Sequence, residues 1–167
     1  MTEYFAGEKR GGLTLVGMGV VGVGAGGGLL ASSSTTGDVG EGMAYPLLAM
    51  GGIHVAAGVF VYIASRGREA KLPRSPGWVE GERTRMKGVS KQFIALEVVE
   101  VVLIAGGLTM AGIGHSTERP RLEGIGYGLA IEAAATLAFD VGAARRAYGY
   151  REGLEPITPL FAHAIHF

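Results

Sequence analysis

The sequence predicts an all-α, polytopic integral membrane protein: four transmembrane helices in a bundle, with both termini on the cytoplasmic side. Three observations carry this reading. Four stretches, 13–31, 45–64, 93–114 and 125–144, are 19 to 22 residues long and hold no lysine or arginine, and a helix needs about 20 residues to cross a bilayer core of about 30 Å. Apolar residues make 48% of the chain and charged ones 18%, where a soluble domain carries about a quarter charged. The basic residues also sort by segment: 13 fall in the N-terminal tail, the 65–92 segment and the C-terminal tail, and two fall in the 115–124 loop. That asymmetry places the first set in the cytoplasm. A soluble bundle would show polar residues at every third or fourth position, and the first two stretches do not.

The first span, 13–31, lies in a charge-free run from Gly11 to Gly37 and holds seven glycines. Lys9 and Arg10 before it and Ala31, Ser32 and Ser33 after it resemble a secretory signal, but its length suits a membrane helix. Gly17-Met-Gly19-Val-Val-Gly22 with Asp38 downstream has the spacing of a dinucleotide fingerprint. That motif must link a strand to a helix, and here it sits inside an unbroken apolar run, so the dinucleotide reading fails. Spacing offers another use. Gly22 and Gly26, Gly24 and Gly28, and Gly124 and Gly128 are each four apart, on one helix face, where they let backbones approach closely.

The second span, 45–64, is uncharged but for His54 at its centre. The 65–92 segment that follows is expected to be a cytoplasmic loop. It carries eight basic residues, broken by Pro73, Pro76, Gly77 and Trp78, and basic segments beside a cytoplasmic leaflet attract anionic lipid at about 1 kcal/mol per charge. The third span, 93–114, holds Glu97 and Glu100, and the fourth, 125–144, holds Glu132 and Asp140. The chain through residue 154 is thus one four-helix transmembrane domain. Residues 155–167 form an apolar, aromatic tail with His163 and His166, and such a terminus is expected to lie on the membrane or dock on another chain.

The acids are the chemically informative residues. A carboxylate at membrane depth costs roughly 2.5–3.5 kcal/mol and normally faces the bundle interior. At 1.5 Å per residue, His54 falls within about 1 Å of the midplane, Glu132 about 4 Å outside it and Glu100 about 5 Å inside it. Asp140 and Glu97 lie about 8 and 10 Å inside. Glu97 and Glu100 share one face of their helix, as do Glu132, Thr136 and Asp140. No basic residue in any span neutralises them, so the cluster is expected to share protons or cations.

Three functions compete for that cluster: a proton- or cation-handling transporter or channel component, with His54, Glu97, Glu100, Glu132 and Asp140 as the pathway; a non-catalytic accessory subunit, in which the same groups fix helix register; and a membrane metalloenzyme. No cofactor is predicted. If a metal is held, His54, Glu97, Glu100 and Glu132 are its candidate ligands, although the paired Glu-x-x-His of carboxylate-bridged bundles is missing. No Ser-His-Asp set is discernible, since serine lies outside the span interiors. Zero cysteines exclude a thiolate site, and a formal net charge of zero argues against nucleic acid as a partner. The expected partners are the lipid bilayer and further copies of the chain or other membrane subunits, in a bacterial-type cytoplasmic membrane.

Overall fold

The computed structural model of the chain describes residues 2–69 and 77–154, and these form four helices: α1 (Thr2–Ala31), α2 (Ser33–Glu69), α3 (Trp78–Ser116) and α4 (Pro120–Leu154). Each is long and apolar enough to cross a membrane. Their outward faces are apolar as well: Val21, Phe60 and Val102 are 63–71% exposed, which water would not tolerate over so many residues.

The helices run well past the apolar stretches. Residues 65–69 and 78–92, expected as loop, are helical. The physical reason is that charge marks where a helix leaves lipid, whereas only backbone chemistry ends it. Gly77, at φ 86°, bounds α3 at its start, and Arg66 and Arg68 in α2 and Arg83, Arg85 and Lys87 in α3 are good helix formers, while residues 70–76 lie outside the described residues. The apolar tail 155–167, with His163 and His166, lies outside the described residues.

Two short turns make the hairpins. α2 follows α1 after Ser32 and bends at a kink in its first turns at Gly37, whose φ of 66° and ψ of −168° suit a residue without Cβ. Between α3 and α4 the Arg119 N–H donates to the Gly114 carbonyl and the Glu118 N–H to that of His115, closing a Schellman turn. Its left-handed residue is Glu118, at φ 54°. Pro120 then opens α4 at the position where a missing N–H costs nothing.

Glycines set the packing. Along the antiparallel α1–α2 seam, Gly12 faces Gly58, Gly19 faces Gly51 and Gly26 faces Ala44, a repeat of seven on both helices. A methyl added to Gly19 would come within 2.5 Å of the Gly51 carbonyl oxygen, and one added to Gly51 within 2.8 Å of that of Gly19. A Cβ on Gly22 or Gly26 would meet α2 at close range, whereas nothing lies within 4 Å of the Cβ that Gly24 or Gly28 would carry. At about 100° per residue, positions two beyond a seam residue point to the far side of the helix. Gly124 and Gly128 pack on Val39 and Met43 of α2, while Gly107, Gly114 and Gly126 join α3 to α4.

These close contacts concentrate in the half of the bundle bearing the two short turns. Toward the end that carries both termini, larger side chains hold the helices apart: Phe5 and Met86 are fully buried there, with Tyr4, Phe93 and Tyr150 packed around Met86. The backbone of α3 approaches only α4, α4 also packs on α2, and α2 packs on α1. A space therefore opens between α3 and the α1–α2 hairpin.

Candidate functional site

His54 of α2, at 4% exposure, meets the stripe of α4. Its Nε2 lies 3.0 Å from Thr136 Oγ1 and its Nδ1 lies 3.7 Å from Glu132 Oε2. The Thr136 hydroxyl donates its one proton to the Glu132 backbone carbonyl, 2.8 Å away. Thr136 Oγ1 therefore accepts from His54, and Nε2 is the protonated ring nitrogen. What remains toward Glu132 is Nδ1, buried and without a hydrogen-bond partner within range. A proton on either Nδ1 or the Glu132 carboxyl completes that contact. Glu132 has room because α1 presents a glycine to it: a methyl on Gly22 would stand 2.7 Å from Glu132 Oε1.

One turn and more toward the terminal end, Glu100 of α3 and Asp140 of α4 are 5% and 8% exposed and lie close enough in the wall of one cavity for their carboxyls to interact. Two carboxyl groups hydrogen-bond only when one carries a proton, since ionised oxygens accept and do not donate. The second oxygen of Glu100, Oε2, is buried with no partner among the described residues. Glu97, half-buried, stands one turn from Glu100 on the same side of α3. Four of the five titratable groups thus fall into two pairs on separate helix contacts, His54–Glu132 across α2–α4 and Glu100–Asp140 across α3–α4. Among the described residues no three histidine, aspartate or glutamate side chains converge as a metal-ligating group. His115 stands apart at the far end of α3, with its Nδ1 3.4 Å from Glu123.

The space beside α3 is a cavity of about 790 Å³. Glu100, Asp140, His54 and Thr136 line it at one end, and apolar side chains such as Met50, Ala57, Phe93 and Leu103 line its length. Glu132 and Glu97 do not reach it. At the terminal end it is closed by a polar knot that the hydropathy pattern did not reveal. Glu8 of α1 accepts from Tyr4 at 2.9 Å and from Arg68 of α2 at 3.2 Å, and lies 3.6 Å from Arg85 of α3. Arg85 is also bonded to Glu82 at 2.6 Å, and Arg83 donates to the Leu154 carbonyl of α4. Tyr4 stacks on Tyr150 at 3.9 Å between ring centroids. The signal that could have found this knot is Glu8, an acid set directly before Lys9 and Arg10 at the edge of the first apolar run.

No protein family, curated protein or solved structure matches the chain.

Proposed function

We propose that the protein handles protons or monovalent cations across a membrane, as a small transporter or a component of one. The termini and the Glu8–Arg68–Arg85 knot face the cytoplasm, in a bacterial-type cytoplasmic membrane. The observation that carries this reading is the Glu100–Asp140 pair. Two buried carboxyls close together in the wall of a cavity, with no lysine or arginine inside any of the four apolar stretches, are expected to hold a proton or a cation between them. His54 and Glu132 continue the chain of titratable groups toward the turn-bearing half. The test is flux into liposomes carrying the purified full chain. A proton or cation flux above that of empty vesicles is expected, cut at least severalfold by Glu100→Gln and by Glu132→Gln. A wild-type flux equal to that of empty vesicles sinks the transport reading for the isolated chain.

A subunit role within a larger assembly is the second reading. It is favoured by Gly24 and Gly28, which leave one apolar face of α1 open for another helix. Light scattering of the detergent-solubilised chain tests it: a single-chain mass in mild detergent speaks against self-association.

A further inference from the structure

Three features of the cavity, taken together, name the kind of molecule it fits. The first is its access. The backbones of α2 and α3 do not approach each other, and the residues on the two rims of the gap are exposed and apolar: Ile53 and Phe60 on α2, Leu96 and Val99 on α3. A gap so lined opens onto acyl chains and excludes hydrated ions. The second is its shape. From His54 to Arg68 the α2 wall runs about 21 Å, and about 790 Å³ lies within the range that encloses a small organic molecule. The third is its charge. The polar end carries Glu100 and Asp140, with Glu97 beside them, and Glu100 Oε2 is buried and unpartnered. Of the groups that face this pair, α2 contributes His54, whose Nε2 proton is committed to Thr136, and α4 adds Glu132 behind it. α1 brings no charge to that level, its run from Gly11 to Gly37 being uncharged. Of the cationic groups of the cavity, Arg68 and Arg85 sit at the opposite end and are held by Glu8 and Glu82, and Arg146 of α4 lies between that end and Asp140 with its guanidinium against Gly11 of α1.

We infer that the cavity binds a lipophilic organic cation, an apolar body bearing one positive charge, which enters sideways from the bilayer between α2 and α3 and places its charge against Glu100 and Asp140. This rests on the proposed proton- or cation-handling role and supplies its substrate class. A metal ion would gain little from the apolar walls, and an anionic or zwitterionic headgroup would meet the carboxyls unfavourably. As the cation arrives, the proton shared by the pair leaves to water, so that the charge of the site is balanced and binding competes with protons.

The test uses radiolabelled tetraphenylphosphonium as the probe, in equilibrium binding to the full chain in detergent and in liposomes. Saturable binding is expected that tightens as the pH rises and releases protons into a weakly buffered solution. Glu100→Gln and Asp140→Asn, which keep side-chain size, should each weaken it about tenfold or more. Ala57→Phe, which fills the slot without touching the acids, should weaken it while leaving the monodisperse elution of the protein unchanged. No saturable binding by a monodisperse protein overturns the inference, as does binding that both acid variants and Ala57→Phe leave intact. Retention of phospholipid that the probe does not displace also overturns it and assigns the cavity to a lipid tail. The two proposals fail separately. Proton flux without probe binding removes the cation and keeps the proton reading, whereas probe binding with proton release but no flux keeps the site and removes transport.

Discussion

His54 Nδ1 faces Glu132 Oε2 at 3.7 Å across the α2–α4 contact while the opposite ring nitrogen is fixed by Thr136. The threonine sets which nitrogen is free. Its own proton is tied to the Glu132 carbonyl, so the imidazole donates from Nε2 and presents Nδ1 to the carboxyl. Thr136→Val keeps the volume and removes that acceptor, leaving a buried N–H unsatisfied at about 1–3 kcal/mol. The expected result is a change of tautomer, seen as exchanged ring-nitrogen shifts for His54 by ¹⁵N magnetic resonance, with flux reduced about tenfold. Unchanged ring-nitrogen shifts in the variant would show that Thr136 does not set the tautomer.

The seven-residue seam makes a paired prediction. Gly51→Ala drives a methyl to 2.8 Å from the Gly19 carbonyl, and Val23 crowds the same methyl. Backbone atoms cannot step aside as a side-chain tip can, so overpacking should cost about 1–3 kcal/mol. Gly24→Ala meets open space and should stay within about 0.5 kcal/mol. Denaturant titration of the two variants in the same micelle reads the difference. Equal losses would place a second helix against Gly24.

Much of this architecture was legible before any coordinates, and the limits are physical. The charge-free runs located the helices because lipid excludes charge, whereas depth arithmetic placed the titratable groups on one ladder with Asp140 nearest Glu97. Counting along single helices could not tell that α3 meets α4 alone, which divides four of the titratable groups into two pairs. Nor could it find the seam. Gly12, Gly19 and Gly26 become a repeat only when α2 presents Gly58, Gly51 and Ala44 in antiparallel register, and register is a property of two helices. The terminal knot was hidden for a related reason: hydropathy reports where lipid ends, and Tyr4, Glu8 and Arg85 meet beyond that point.

Glu118 closes the α3–α4 turn in a left-handed conformation that side chains disfavour, at φ 54°. Glycine there removes the strain and gives back part of the gain through the freer unfolded chain. Glu118→Gly should therefore stabilise the fold by about 0.5–1 kcal/mol, read as a higher unfolding midpoint. Glu118→Ala retains the Cβ and should not. If alanine stabilises as much as glycine, the effect comes from losing the acid and not from the backbone.

Among the described residues Glu8 ties α1, α2 and α3 at the terminal end, accepting from Tyr4, Ser65 and Arg68 and facing Arg85. Its side chain is 15% exposed and Arg68 is 37% exposed, so solvent screens part of the attraction, and Glu8→Gln should cost about 1–2 kcal/mol. The larger effect is geometric. α3 has no backbone contact with α1 or α2, so Glu8 with Arg85, and Tyr4 with Met86, are what hold its end against the hairpin. Removing the carboxylate should let that end swing outward and widen the cavity. Spin labels at Arg66 and Val79, both on exposed surface, read this as a longer and broader distance distribution in Glu8→Gln than in wild type. An unchanged distribution would mean that the aromatic stack of Tyr4 on Tyr150, with the packing on Met86, is enough to close the bundle.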